Sequence, residues 1–116
     1  MGGEIAQGKR ERIVVLDQLL ARFSRNYALL RRAVDSAGRA LARRSYESFL
    51  QPGEELSFSE LVDDVEVHFG VEIFREDNGG VLWVYVNADA DLPTPLLIKP
   101  SFVFRKLPDG RAYVVS

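Results

Sequence analysis

Apolar residues recur along the first third of the chain with a three-four spacing: Ile13, Leu16, Leu20, Phe23, Tyr27, Leu30, Val34, Ala37 and Leu41. That period is the seam of an amphipathic α-helix. The pattern predicts a helix from about Lys9 to about Leu50, roughly 60 Å long at 1.5 Å per residue. The span contains no proline, so nothing forces a break. Two soft spots stand at Ser24-Arg25-Asn26 and at Gly38; a glycine inside a helix costs about 1 kcal/mol relative to alanine. The three-four phase continues through both, which favours one uninterrupted helix over a hairpin. After Leu41 the seam drifts to Ala42, Tyr46 and Phe49, in the manner of a stutter.

Beyond Gln51-Pro52-Gly53, a helix stop, the pattern changes. Ser57 or Ser59 is placed to cap a short helical turn through Glu60, Leu61 and Val62. Val65, Val67, Phe69, Val71 and Ile73 then alternate with polar residues or glycine, the period of a half-buried strand. Arg75 to Gly80 has hairpin chemistry. Val81 to Val86 is apolar on both sides, as a central strand is. Leu96–Ile98 and Phe102–Arg105 read as one strand interrupted at Pro100, an edge or bulge position. Leu107-Pro108-Asp109-Gly110 is a turn, and Ala112–Val115 a last strand. The expected fold is α+β: a long N-terminal amphipathic helix, a short helical turn and a four-stranded antiparallel meander. Residues 1–8 read as a flexible leader and 9–116 as a single domain.

The helix is the element with more apolar surface than a small sheet can cover. Ile13, Val14, Val15 and Leu16 are consecutive, and Leu19 joins Leu20. A helix apolar on most sides is buried on most sides. Ile13, Leu16, Leu20, Phe23, Tyr27 and Leu30 are therefore candidate contacts with a second chain, whereas residues 34–50 are expected to carry the sheet. On the side away from the seam, Arg22, Arg25, Arg32, Arg39 and Arg43 line a basic ridge. It is a solvated face or a strip for an anionic partner.

Charge sharpens the contrast between the halves. Residues 1–50 carry +5 and residues 51–116 carry −7, for the net −2 of the 116-residue chain. Such halves attract each other within or between molecules. No aromatic residue interleaves with the ridge, and the sequence pI is about 5.4; both argue against a nucleic-acid partner. The absence of cysteine excludes disulfides and thiolate metal sites and fits a reducing, cytoplasmic setting. No apolar run is long enough to span a membrane.

Few residues suggest chemistry. Asn87, Asp89 and Asp91 copy the opening of a calcium loop, but Leu92 and Ile98 stand where the turn glycine and the bidentate glutamate belong; turn-forming Asx residues account for them better. His68, the one histidine, shares a polar strand side with Glu66 and Glu72, a wet setting for acid–base or metal work. No nucleophile elbow, P-loop, dinucleotide fingerprint or zinc-helix motif occurs. No catalytic residue, metal ligand or cofactor is expected. The leading expectation is a soluble, non-enzymatic interaction or assembly module, homo-oligomeric through its helix or bound to another protein. The element order is similar in outline to cystatin-like and NTF2-like folds, though no family motif carries the likeness. It supplies an alternative: a ligand-binding or enzymatic domain with a helix-over-sheet pocket around Trp83, Tyr85 and Phe102. Nucleic-acid binding along the arginine ridge is a third.

Overall fold

The computed structural model describes the backbone of residues 2–50, 56–92 and 99–115, with side chains from Val15 onward. One long helix lies across one face of a five-stranded antiparallel meander. Helix α1 spans Gly2–Ala42 without a break at Ser24–Asn26 or at Gly38. The leader expected over residues 1–8 precedes the first described side chain. A 3-10 turn (Tyr46–Phe49) follows. The strands are β1 (Phe58–Val62), β2 (Val65–Arg75), β3 (Leu82–Asp89), β4 (Ser101–Lys106) and β5 (Ala112–Val114), each hydrogen-bonded to the next in chain order.

The helix ends at Ala42, earlier than the expected Leu50. The drift in phase after Leu41 marks that end. The Arg43 and Arg44 amides bond the carbonyls of Ala40 and Leu41, tightening the last turn to 3-10 geometry. The ammonium of Lys106, itself 3% exposed, donates to the Ala42 carbonyl at 2.9 Å and to the Gly110 carbonyl at 2.7 Å. A cation at a helix C-terminus meets the negative end of the macrodipole. Redirected by this stop, Tyr46 and Phe49 turn into the core. Phe49 packs edge-on to Phe104, and the Tyr46 hydroxyl donates to the Gly80 carbonyl.

The helical turn expected at Glu60–Val62 is instead β1. Asp63 and Asp64 have φ of 49° and 63°, the two left-handed residues of a tight hairpin. They set the register Val62↔Val65 through Phe58↔Phe69, and Phe58 stacks on Phe69 at 4.8 Å. Local helix propensity loses here to cross-strand pairing. This added strand makes five rather than four. The hairpin at residues 75–80 forms as expected, with Gly79 and Gly80 at positive φ. Strand β4 is interior, between β3 and β5, so the edge expected near Pro100 is not one; the Pro100 carbonyl accepts from the Ala88 amide. Its expected partner segment, Leu96–Ile98, lies outside the described residues.

The core lies between helix and sheet. Leu30, Ala33, Val34, Ala37 and Leu41 meet Val67, Phe69, Leu82, Val84, Val86, Ala88, Phe102 and Phe104. Small helix residues oppose large sheet residues. Gly38 is the closest approach: a Cβ there would stand 2.2 Å from Cδ1 of Phe102. The glycine that looks like a weak point in the sequence admits the Phe102 ring against the helix backbone.

Candidate protein interface

From Leu30 to Leu41 the apolar stripe of α1 faces its own sheet. Upstream, the same stripe has nothing over it among the described residues. Val15, Leu16, Leu19 and Leu20 are 54%, 58%, 40% and 59% exposed. Phe23 and Tyr27 are half-buried. Leu30, expected as part of an intermolecular contact, is only 2% exposed and belongs to the intramolecular core; the free stripe ends before it. The side chain of Ile13 lies outside the described residues.

The two halves of the stripe share one layout. Leu16, Leu19, Leu20, Phe23 and Tyr27 recur two heptads on as Leu30, Ala33, Val34, Ala37 and Leu41. Both occupy a band wider than the two positions per heptad of a coiled-coil seam. The downstream copy covers a sheet. The upstream copy has the same angular width and bulkier side chains.

The arginine ridge is exposed throughout: Arg22, Arg25, Arg32, Arg39 and Arg43 all face solvent. A shallow depression of about 460 Å³ lies on it, lined by Arg32, Asp35, Ser36, Arg39, Ala40 and Arg43. Arg32 lies 3.6 Å from Asp63 in the β1–β2 turn. Arg31, beside the ridge, pairs with Asp35 at 3.2 Å and donates to the Ser101 carbonyl at 2.8 Å. Arg32–Asp63 and the Arg31–Ser101 bond tie the helix to the sheet, whereas Arg31–Asp35 lies within the helix; at such exposure an ion pair contributes about 0–1 kcal/mol.

The face of the sheet turned away from α1 is a second surface, which the linear pattern did not reveal. Register aligns Phe74, Trp83, Arg105 and Tyr113 in one row across β2 to β5. Glu72, Tyr85 and Val103 form the next row. Phe74, Tyr85 and Tyr113 are 55%, 38% and 47% exposed. Phe74 meets Tyr85 edge to face at 5.4 Å, and the Arg105 guanidinium lies 5.3 Å from the Trp83 ring centre. The Trp83 indole donates to Glu76. Trp83 and Tyr85 thus stand on the opposite side of the sheet from Phe102, and the three do not converge on one pocket. The alternation of Leu82, Val84 and Val86 with Trp83 and Tyr85 carried this information. Phe74, Arg105 and Tyr113 join them only through cross-strand register.

The acidic residues of this face are Glu66, Glu72, Glu76 and Asp89. Ser59, His68 and Asp89 also share a row, with Ser59 Oγ 2.7 Å from His68 Nδ1. Asp89 turns instead to Lys99 at 3.2 Å and to the Ala90 amide. Ser59 and His68 both face solvent, unlike the water-excluded sites in which fixed donors stabilise an oxyanion. Asn87 and Asp89 belong to β3 rather than to the expected surface turn. Among the described residues no group of three metal-ligating side chains gathers, and no helix is long and apolar enough to cross a membrane. At the β4–β5 turn, the backbone N–H of Arg111 donates to Asp109, with its guanidinium adding charge. Together they hold the Asp109 carboxyl below the usual carboxylate range.

The chain matches no family model, and no curated protein or solved structure matches it.

Proposed function

We propose that this protein is a non-enzymatic assembly module that self-associates through the N-terminal half of α1. One observation carries the reading. Val15, Leu16, Leu19 and Leu20 stand 40–59% exposed on consecutive turns, in line with the stripe that downstream forms the core. Scattered exposed leucines are ordinary, but a continuous stripe is an interaction surface. Taking each side chain from half exposure to full burial contributes about 1 kcal/mol. Both copies in a dimer would gain this contribution.

The pocket alternative lacks comparable support. The space between α1 and the sheet is filled by side chains such as Val34, Val84, Val86 and Phe104, each 0% exposed. Its proposed lining residues lie on opposite faces of the sheet. The arginine ridge offers charge without stacking partners, which suits a solvated face better than a nucleic acid.

Sedimentation velocity tests the proposal. The wild-type chain is expected to associate at micromolar concentration. Leu20→Asp is expected to sediment as a monomer whose unfolding midpoint matches that of the wild type under dilute, monomeric conditions, because Leu20 lies outside the core. A wild-type chain that stays monomeric at several hundred micromolar, on the order of the weakest specific contacts, would overturn it.

A further inference from the structure

Among the described residues, two apolar surfaces stand uncovered: the upstream stripe of α1 and the outer face of the sheet. We infer that each is the cover for the other in a second copy. The stripe of one protomer lies on the Phe74–Tyr85–Trp83–Tyr113 face of its partner, and the partner returns the same contact. Each sheet then becomes the middle layer of a helix–sheet–helix sandwich. This rests on the self-association proposed above and specifies what the helix meets.

Four features favour the partner's sheet over the partner's helix. First, the free stripe repeats the layout of the segment that already covers a sheet, and it is wider than a two-stranded seam. Second, each protomer's own sheet occupies the stripe side of α1 from Leu30 onward. Two helices paired in parallel along their stripes would drive one sheet against the other. Third, Arg22 is exposed one turn from Leu19 at the edge of the stripe, and Glu66 and Glu72 are exposed on the outer sheet face, charges of opposite sign at the rims of the two surfaces. Fourth, the dimensions agree. Leu16 to Tyr27 extends roughly 17 Å at 1.5 Å per residue, and the row from β2 to β5 crosses about 14 Å at 4.8 Å per strand. A twofold exchange covers both surfaces on both copies and closes the assembly. A one-way contact would leave one surface of each kind free and propagate into a chain.

Two variants separate the surfaces: Leu20→Asp on the stripe, and Phe74→Arg with Tyr85→Arg on the sheet. All three positions are exposed, and circular dichroism verifies that each variant is folded. Each is expected to weaken dimerisation by about tenfold or more, as loss of an interface anchor does. Mixed in equal amounts, the two variants are expected to regain partial association, because one intact stripe then meets one intact sheet. The cysteine-free chain gives a second readout that does not depend on destabilising anything. Leu20→Cys mixed with Tyr85→Cys is expected to yield a cross-linked heterodimer under a short bismaleimide. Leu20→Cys alone is expected to yield little. Dissociation by the helix variant with a wild-type dimer constant for the sheet variant, or strong Leu20→Cys self-linking, would overturn this inference and leave self-association through α1 standing. A monomeric wild-type chain, or a dimer broken only by the sheet variant, would overturn both.

Discussion

At the scale of single residues, the same side chain reads differently in the chain and in the fold. Gly38 is a helix weakness by local propensity, yet its missing Cβ is what seats Phe102. Gly38→Ala should therefore lose stability despite a propensity gain of about 1 kcal/mol. The added Cβ would stand 2.2 Å from Cδ1 and 2.9 Å from Cβ of Phe102, so the crowded atoms include the stem of the ring. Overpacking of this kind costs about 1–3 kcal/mol. Urea unfolding would check it, and a rise in stability would show that the ring relaxes freely. Lys106 is comparable. A charged residue in a strand is ordinarily assigned to solvent, but here it is buried on two carbonyls, one at the end of the helix and one in the β4–β5 turn. Neither role was readable from neighbours in sequence, because Phe102 is 64 positions from Gly38 and Lys106 is 64 from Ala42.

At the scale of elements, continuity of the helix and the course of three strands follow from periodicity alone. Two elements depart from that periodicity for separate physical reasons. Helix α1 stops at Ala42 because tertiary bonds cap it there, and the loss of phase after Leu41 is the only local sign. β1 carries no local strand signal: Ser57 to Val62 has no clean alternation, and its turn is Asp63-Asp64 without the glycine that usually marks a two-residue hairpin. Its strand state depends on pairing with β2, and the same segment by itself reads as a capped helical turn. The turn makes a prediction. Asp64 holds a φ of 63°, which glycine adopts without the steric cost of a Cβ. Asp64→Gly is expected to stabilise the fold by roughly 0.5–1 kcal/mol. A raised thermal midpoint with unchanged secondary structure would bear this out. A lowered midpoint would mean that the Asp64 side chain contributes more than its backbone costs.

At the scale of the whole molecule, the helix has two parts with different attachments. Residues from about Leu29 onward pack on the sheet; Val15, Leu16, Leu19 and Leu20 before it stand exposed, with nothing over them among the described residues. A chain beginning at residue 28 should therefore retain cooperative unfolding, with a midpoint close to that of the full chain under dilute, monomeric conditions. It should lose concentration-dependent association. Calorimetry over a range of concentrations would check both. An unfolded product would show that the upstream turns support the core as well as the interface.

The sequence by itself determined the unbroken amphipathic helix, the antiparallel meander after it and the excess of apolar helix surface. These are properties of local period, set by 3.6 residues per helical turn and by alternation along a strand. Only the tertiary structure decided where along the stripe the covered part begins, and so moved Leu30 from the expected contact into the core. It also decided that Phe74, Trp83, Arg105 and Tyr113 share one row, and that Trp83 and Phe102 face apart. Period assigns a residue to a face. Which faces are covered depends on register and on contacts between distant segments, and no local pattern encodes those.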